Sequence, residues 1–272
     1  MEFNRGDLRP IGIFDSGIGG LTVAQAIHRI LPQEKFIYIG DTAHLPYGDK
    51  SIGLIRQYAV QIGKYLIEQR DCKALVIACN TASAAAYEHL RDELKGIIPV
   101  INVIDPMVEY LISQEHIHRP GIIATKTTIQ SGVYQEKLKR RKPELQYSVL
   151  ATPLLAPMIE EGFYNDSISH VVLEEYLSDP VLSKIDSLVL ACTHYPLIKK
   201  EIEEYYHYKI PIIDSAVVVA DKLKFILEKE NLLCQVNNSY ENEFLVTDFS
   251  LHFENTTRLF YGESVKLEML NF

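Results

Sequence analysis

The sequence contains no tryptophan, four methionines and four cysteines among its 272 residues. So few cysteines in a chain of this length do not provide the dense disulfide framework of a small secreted domain, so we expect free thiols in a reducing, cytoplasmic compartment. No apolar run approaches the ~20 residues of a membrane-spanning helix. The first ten residues, MEFNRGDLRP, lack the apolar core of an export signal. These absences predict a protein without membrane contact.

Basic residues are also in short supply. There are 27 lysines and arginines against 36 aspartates and glutamates, so the net charge is 27 − 36 = −9. A nucleic-acid partner is disfavoured, because binding along a phosphate backbone requires a basic face. The one basic cluster, KLKRRK at 137–142, lies at a predicted helix end. There it can offset the helix dipole or lie in water, and we favour the solvated surface.

Short apolar runs alternate with helical patterns such as 21–31, 52–69 and 82–94. Eight runs are candidate strands: 11–15, 36–40, 75–78, 100–104, 121–124, 147–151, 188–191 and 210–213. Strands that alternate with helices indicate parallel sheets built of βαβ units. The runs are apolar on both faces, which is typical of strands covered by helices on each side. The sequence therefore predicts an α/β fold.

One strand-to-cysteine junction occurs twice. LVIACNTASA (75–84) carries Cys79 and LVLACTHYPL (188–197) carries Cys192, with 192 − 79 = 113 residues between them. Each has an apolar run, then Ala-Cys, then a threonine within two residues, and then a helical pattern. The repeat indicates that the chain builds two similar halves.

Two fainter repeats have almost the same offset. IGIFDSG (11–17) resembles GIIATKT (121–127) at an offset of 110, and VIDP resembles IIDS, whose aspartates Asp105 and Asp214 are 109 apart. We predict one α/β half from residues 1–103 together with 216–272. The other is predicted from 104–215.

The tail from Asn237 has a different pattern. EFLVTD and VKLEML read as short strands, and SLHFENTTRLFYG between them reads as a helix. We expect this tail to pack back on one of the halves.

The two repeated cysteines fall at strand carboxyl ends, where α/β proteins bind ligands. A helix N-terminus after each cysteine stabilises a thiolate and lowers the thiol pKa. Two equivalent thiols on opposite sides of one cleft suit racemisation or epimerisation, in which one removes a proton and the other returns one to the opposite face. Near-attack contacts on both sides place the sulfurs roughly 6–7 Å apart and unbonded. Cys72 and Cys234 lack this pattern and are interpreted as small core residues.

FDSGIGG (14–20) follows the first predicted strand, and its glycines permit a tight turn. Thr22 stands where the dinucleotide fingerprint has its third glycine, and the Gly-Lys-Ser/Thr ending of a phosphate loop is absent. A small-ligand loop is the better interpretation. For Asp15, a helix N-cap and a catalytic role are both open.

DTAHLPYGDKS (41–51) is interpreted either as a plain turn or as a binding loop. His194 is either a partner for the thiolate of Cys192 or a capping histidine. The spacing Cys192-Thr-His194 is poor for a metal, and there is no second pair, so no metal site is predicted.

FDSGIGG, LPYG, ACNTASA and ACTHYPL, in this order and spacing, resemble the glutamate racemase family of the aspartate/glutamate racemase superfamily. The resemblance extends from Ile11 to about Asp214 and more weakly into the tail. It implies two flavodoxin-like halves with the active site in the cleft between them, and a tail on the N-terminal half. It also implies interconversion of L- and D-glutamate without a cofactor, for bacterial peptidoglycan, by a homodimer.

Carried over by position, the resemblance implies that Cys79 and Cys192 are the acid/base thiols and that Asp15 and His194 are their auxiliary partners. It implies a glutamate site lined by Asp15, Ser16, Tyr47, Gly48, Asn80, Thr81, Thr125, Thr128, Glu160, Thr193 and His194. Glu160 also has a plainer interpretation as a solvated helix residue.

The chain departs from the family at two small residues. Ala191 precedes the second cysteine and Ala124 precedes Thr125, where the family usually has glycine. These changes are expected to narrow the pocket without removing a reacting group.

Three other functions remain open. A racemase of aspartate or hydantoin type shares the paired cysteines. A cysteine hydrolase would use Cys192 and His194 as nucleophile and base, but it leaves Cys79 without a role. A binding or regulatory protein would hold glutamate without turnover.

Overall fold

The computed structural model describes residues 6–236 and 241–271. Within them the strands are β1 (Ile11–Asp15), β2 (Phe36–Gly40), β3 (Ala74–Ile77), β4 (Val100–Asn102), β5 (Pro120–Ala124), β6 (Ser148–Ala151), β7 (Ser187–Ala191), β8 (Ile212–Asp214), β9 (Glu243–Val246) and β10 (Glu268–Met269). The α-helices are α1 (Leu21–Ile30), α2 (Ile52–Lys64), α3 (Asn80–Glu93), α4 (Ile104–Ser113), α5 (Lys126–Gln130), α6 (Val133–Arg141), α7 (Leu155–Glu160), α8 (Ser167–Leu177), α9 (Lys199–Tyr205), α10 (Ser215–Lys229) and α11 (Leu251–Tyr261). No helix among the described residues combines the length and hydrophobicity needed to cross a bilayer.

The strands form two sheets, and every strand pair is parallel. The first has the order β10-β9-β2-β1-β3-β4 and the second the order β6-β5-β7-β8. Every residue of β1, β2, β5 and β7 is buried, because helices cover both faces of each sheet. The predicted α/β class with two parallel sheets is confirmed.

The eight candidate strands agree with the observed ones to within two residues, whereas the tail strand predicted at VKLEML is reduced to Glu268–Met269. β1 and β2 have the predicted bounds. The strand predicted at 100–104 is shorter, because the Oδ1 of Asn102 accepts the backbone N–H groups of Ile104 and Asp105 at 2.7 Å each and so begins α4. The helix predicted over 52–69 is α-helical only to Lys64 and ends in a π-helical turn, Tyr65–Gln69.

The two sheets repeat one topology. The order β2-β1-β3-β4 in the first corresponds to β6-β5-β7-β8 in the second. Phe14 pairs with Ile77, and Ile123 pairs with Leu190 in the same way. Ile77 and Leu190 each stand two residues before a repeated cysteine, so the cysteines occupy equivalent positions. In this register Phe14 of β1 is equivalent to Ile123 of β5, an offset of 123 − 14 = 109 residues. The match of IGIFDSG with GIIATKT in the sequence had given 110.

The match of Asp105 with Asp214 is wrong by three residues. Asn102 pairs with Ile77 at the end of β4, and Asp214 pairs with Leu190 at the end of β8. Asn102 and Asp214 are therefore the equivalent residues, and each caps the helix that follows its strand. A short sequence match cannot distinguish Asp105 from a cap three residues earlier.

The tail packs on the first sheet, as expected. β9 pairs with β2, β10 pairs with β9, and α11 contacts α1. Asn237, where the tail was predicted to begin, lies in 237–240, outside the described residues, as do residues 1–5 and 272. The division into 1–103 with 216–272 and 104–215 remains a prediction.

The basic cluster divides into two parts. Lys139, Arg140 and Arg141 form the last turn of α6, where cations offset the helix dipole. Lys137 is buried instead, and its Nζ lies 2.7 Å from a carboxylate oxygen of Asp105. The solvated interpretation is therefore wrong for Lys137.

A buried ion pair and its hydrogen bonds join four separate segments of the first half. The Nζ of Lys73, whose side chain is fully buried, lies 2.6 Å from the Oε2 of Glu34. It also donates to the carbonyl oxygens of Asp7 and Leu232 at 2.6 and 2.7 Å. The Oε1 of Glu34 accepts the backbone N–H of Cys234 at 2.7 Å. The charges therefore hold the chain before β1 and the chain after α10 against the base of the first sheet.

Removing the cation of this pair should strongly destabilise the fold. We expect Lys73→Met to lower the free energy of unfolding by about 3–5 kcal/mol, because it leaves Glu34 buried without its cation. Lys200→Met, at an exposed pair with Glu204, should cost less than about 1 kcal/mol. Urea unfolding followed by circular dichroism measures both. Similar costs for the two variants would contradict this account.

Candidate active site

A cavity lies between the two sheets, at the carboxyl ends of their strands. Both halves contribute to its lining: Ser16, Leu45, Pro46, Tyr47, Gly48, Asp49, Cys79, Asn80, Thr81, Thr125, Lys126, Pro153, Ala156, Pro157, Glu160, Cys192, Thr193 and His194. Parallel strands direct all of their carboxyl ends to one edge, so residues far apart in sequence meet here. Every predicted site residue lines the cavity except Asp15 and Thr128.

Cys79 ends the loop after β3 and is the N-cap of α3. Its Sγ accepts the backbone N–H of Ala82 at 3.4 Å and lies 3.5 Å from the Oγ of Ser16. Burial, and to a lesser extent the nearby carboxylate of Asp15, raise the pKa of the Cys79 thiol to about 12, while the hydrogen bonds with Ser16 and with the backbone of Ala82 lower it. The amide at the helix N-terminus therefore lowers this pKa as expected, but desolvation outweighs it.

Cys192 follows β7 and is the first member of a polar chain of three side chains. Its Sγ lies 3.8 Å from the Nδ1 of His194, and the Nε2 of His194 lies 2.8 Å from a carboxylate oxygen of Glu160, the last residue of α7. Burial alone lowers the pKa of His194, but hydrogen bonds and charge from Cys192 and Glu160 outweigh it and raise the pKa well above its ordinary value. Glu160 is therefore a partner of His194 and not a solvated helix residue.

Asp15 lies behind the cavity wall and is fully buried. Its Oδ2 accepts the backbone N–H groups of Gly17 and Gly20 at 3.0 Å each, so the carboxylate holds the turn that leads into α1. A side chain at position 20 would clash, since a Cβ there would be 2.5 Å from the Cβ of Asp15. Burial raises the pKa of Asp15, against the lowering effect of the charge of His194 and of these amides. Asp15 thus supports the turn and acts electrostatically on the site.

The loop after β2 lines the cavity, which favours the binding-loop interpretation over a plain turn. The hydroxyl of Tyr47 donates to the Oδ2 of Asp41. The carbonyl oxygen of Gly48 accepts a hydrogen bond from the hydroxyl of Thr127, which follows β5 in the other sheet. This loop therefore contacts both halves at the mouth of the cleft.

Three threonine hydroxyls join the halves at the wall of the cavity. The Oγ1 of Thr81 lies 3.0 Å from that of Thr125 and 3.3 Å from that of Thr128, and the latter two are 3.0 Å apart. Thr128 is buried behind Thr125. The Oδ1 of Asn80 accepts from the hydroxyl of Tyr134 at 3.0 Å, whereas its buried Nδ2 has no hydrogen-bond partner among the described residues. The described residues therefore leave the hydrogen-bonding capacity of that amide unused.

Several cavity residues were missed from the sequence. Lys126 is the cation among these missed residues. Its position in the sequence could have predicted it as a site residue, because it directly follows Thr125 at the carboxyl end of a strand. The others are Leu45, Pro46 and Asp49 in the loop 41–51, where only Tyr47 and Gly48 were predicted as site residues, and Pro153, Ala156 and Pro157 before and within α7, where only Glu160 was predicted. Ala124 and Ala191 are fully buried, pair with each other in the second sheet and do not line the cavity. The expected narrowing of the pocket stays a prediction, and any such effect would act through the residues that line it.

The fold and the site define an α/β protein with two like parallel sheets and one thiol from each half beside a shared cavity. All four cysteines are free. The family model for Asp/Glu/Hydantoin racemase matches residues 12–223. The chain belongs to the Asp/Glu/Hydantoin racemase family.

Relatives match over nearly the whole chain. A glutamate racemase of Neisseria meningitidis serogroup C is 39% identical, and the alignment covers 98% of each chain. The crystal structure of glutamate racemase from Francisella tularensis in complex with D-glutamate is 38% identical, with a TM-score of 0.90, covering 97% of this chain and 98% of that one. A glutamate racemase isoform from Bacillus anthracis is 34% identical, with a TM-score of 0.90 and 97% coverage of both chains.

The unlike surroundings of the two sulfurs predict unlike reactivity. At pH 8 we expect iodoacetamide to label Cys192 at least about tenfold faster than Cys79, because only a thiolate reacts and Cys79 stays protonated in its buried site. Peptide mass spectrometry over time gives both rates. His194→Asn should reduce the difference by removing the cation beside Cys192. Faster labelling of Cys79 than of Cys192 would contradict the conclusion that Cys79 stays protonated.

Proposed function

We propose that this protein is a glutamate racemase that interconverts L- and D-glutamate by a two-base mechanism and needs no cofactor. The observation that carries the proposal is the pair of free thiols at equivalent strand ends of the two sheets, both lining one cavity. A racemase needs one group that takes a proton from one face of the α-carbon and another that returns a proton to the opposite face. Two sulfurs at opposite sides of a cleft satisfy that requirement.

The electrostatics assign the resting roles of the two sulfurs. His194, whose pKa is raised well above its ordinary value, holds a positive charge near the sulfur of Cys192. Cys79, with a pKa of about 12 and Asp15 close by, rests as a thiol. In the ligand-free protein Cys79 is therefore the acid, and the two-base mechanism leaves the role of base to Cys192. The enantiomer that presents its α-proton to Cys79 requires the proton to move between the sulfurs before reaction, or requires substrate binding to reverse these roles.

The donors around the cavity suit an amino acid with two carboxylates. The free Nδ2 of Asn80, the N-terminus of α3 and the hydroxyls of Ser16, Thr81 and Thr193 are positioned for a carboxylate. Such preorganised donors also stabilise the negative charge that develops when the α-proton leaves. Among such amino acids we favour glutamate as the substrate, because the Neisseria and Francisella relatives are glutamate racemases and the Francisella structure contains D-glutamate.

The cellular setting follows from the proposed activity. We place the protein in the cytoplasm, as a homodimer that supplies D-glutamate for peptidoglycan. Its relatives are bacterial proteins, and free thiols suit a reducing compartment.

The first test is exchange of the α-proton. We expect the purified, reduced protein in heavy water to remove both the α-proton NMR signal of L-glutamate and its circular dichroism, because the proton returned to either face comes from solvent. Boiled protein and protein treated to remove pyridoxal phosphate are the controls. Folded protein that leaves both signals intact would refute the proposal.

The two thiols are tested by substitution. We expect Cys79→Ser and Cys192→Ser each to lower racemisation by roughly 10²–10⁴-fold, because a hydroxyl is a far weaker acid and base at neutral pH. Cys72→Ser, at a buried cysteine outside the cavity, should retain most of the activity. Near-normal racemisation by both single serine variants would exclude the two-base mechanism.

A racemase of aspartate or hydantoin type is the alternative. The same exchange measurement with L-aspartate and a substituted hydantoin distinguishes the substrates. A larger kcat/KM for either of them than for glutamate would move the assignment to that substrate and leave the two-base chemistry in place.

A further inference from the structure

The C-terminal tail, defined here as residues 243–271, reaches the cavity walls at two separate points. Its strands extend the first sheet beside β2, and its helix α11 packs on α1. We infer that this tail is part of the active-site assembly, with Thr247 and Phe260 as positioning residues. The inference deepens the proposed function and rests on it, since neither side chain lines the cavity itself.

The first contact runs from Thr247 to Tyr47 through one carboxylate. The hydroxyl of Thr247 donates to the Oδ1 of Asp41 at 2.8 Å and accepts the backbone N–H of Ala43 at 3.0 Å. The Oδ2 of Asp41 accepts the hydroxyl of Tyr47. Asp41 and Tyr47 are each only 1% exposed, so the bond between them is shielded from water. Thr247 thereby sets the position of an aromatic wall of the cavity.

Neighbouring bonds fasten the same loop to the tail. The backbone N–H of Asp248 donates to the Oγ1 of Thr42 at 2.9 Å, and that hydroxyl donates to the carbonyl oxygen of Asp248. The backbone N–H of Thr247 donates to the carbonyl oxygen of Gly40 at 3.1 Å. The loop that carries Tyr47 and Gly48 is therefore attached along one side to the tail.

The second contact is made by Phe260 in α11. Its ring meets the imidazole of His194 edge to face, with 5.4 Å between centroids and 80° between planes. Phe260 is only 3% exposed. The backbone of Gly19 packs against another side of the imidazole, so closely that a Cβ at position 19 would be 2.6 Å from the Nδ1 of His194. The imidazole is thus confined by apolar and backbone atoms.

This confinement aims the two nitrogens of His194. Nδ1 faces the sulfur of Cys192, and Nε2 faces Glu160. The third charged group that acts on the ring is Asp15, within the FDSGIGG turn. A ring free to rotate would lose both the Cys192 contact and the Glu160 contact, and small misplacements of catalytic groups cost large factors in rate. The tail therefore packs on the first half but orients a residue of the second.

The Phe260 contact is tested with Phe260→Leu, which keeps the site apolar but removes the flat ring edge. We expect kcat for glutamate to fall roughly tenfold, with KM changed less than twofold. We also expect the pKa of His194, measured by NMR of ¹⁵N-histidine-labelled protein without substrate, to fall towards its ordinary value, because the bonds that raise it depend on ring orientation. His194→Asn identifies the signal among the nine histidines.

Phe244→Leu is the matched control. Phe244 is a buried phenylalanine of the same tail that packs edge to face on Phe36 and Tyr261 and lies outside the cavity. It should lose stability without changing kcat or the His194 signal. Equal changes in both variants would reduce Phe260 to a general packing residue and overturn the inference.

The Thr247 contact is tested with Thr247→Val, which preserves shape but removes the hydroxyl. We expect KM to rise roughly fivefold to tenfold with kcat little changed. This factor corresponds to the loss of one hydrogen bond, about 1 kcal/mol, from the contacts that hold Tyr47 in the cavity wall. Thr247→Ser restores the hydroxyl and should restore KM. Thr257→Val is the control, since Thr257 is a buried tail threonine bonded to the backbone of Glu254. Wild-type KM in Thr247→Val would overturn this part.

The two levels of proposal fail differently. If wild-type protein does not exchange the α-proton of glutamate, the proposed function fails whatever the tail does. If wild-type protein racemises glutamate but the Phe260→Leu and Thr247→Val variants behave like their controls, only the role of the tail is wrong. The NMR measurement on His194 needs no turnover and separates these outcomes.

Discussion

A parallel sheet directs the carboxyl ends of all of its strands to one edge, and every candidate residue of this protein depends on that constraint. The strands run in one direction because each is followed by a helix that returns the chain across the sheet. Cys79 and Cys192 stand two residues after the paired strand residues Ile77 and Leu190 in two sheets of the same order. The cavity is where these two edges face each other.

Equivalent backbone positions do not give the two sulfurs equivalent chemistry. Cys79 lies near a buried carboxylate and a hydroxyl, whereas Cys192 lies beside an imidazole that is itself held by Glu160. Burial disfavours charge on the sulfur of Cys79. An internal repeat thus supplies the symmetry that a two-sided reaction needs, and the side chains that differ between the halves determine the resting state.

Polar contacts between the halves occur both at the cavity and away from it. Thr81 meets Thr125 and Thr128, and Thr127 donates to the carbonyl of Gly48. Away from the cavity, the Nζ of Lys137 lies 3.3 Å from a carboxylate oxygen of Glu88. Thr81 and Thr125 both join the halves and line the cavity.

The sequence by itself determined the parallel α/β class, the eight candidate strands to within two residues, the internal repeat and most of the cavity lining, because strand periodicity and strand-end motifs are local patterns. Resemblance to a family added Glu160 and the threonine pair. Only the tertiary structure decided the raised pKa of Cys79, since desolvation depends on everything packed around the sulfur. It also decided that Asn102 and not Asp105 is equivalent to Asp214, that Lys126 lines the cavity and that Phe260 contacts His194. Those facts depend on strand register and on which distant segments meet, and no local pattern encodes them.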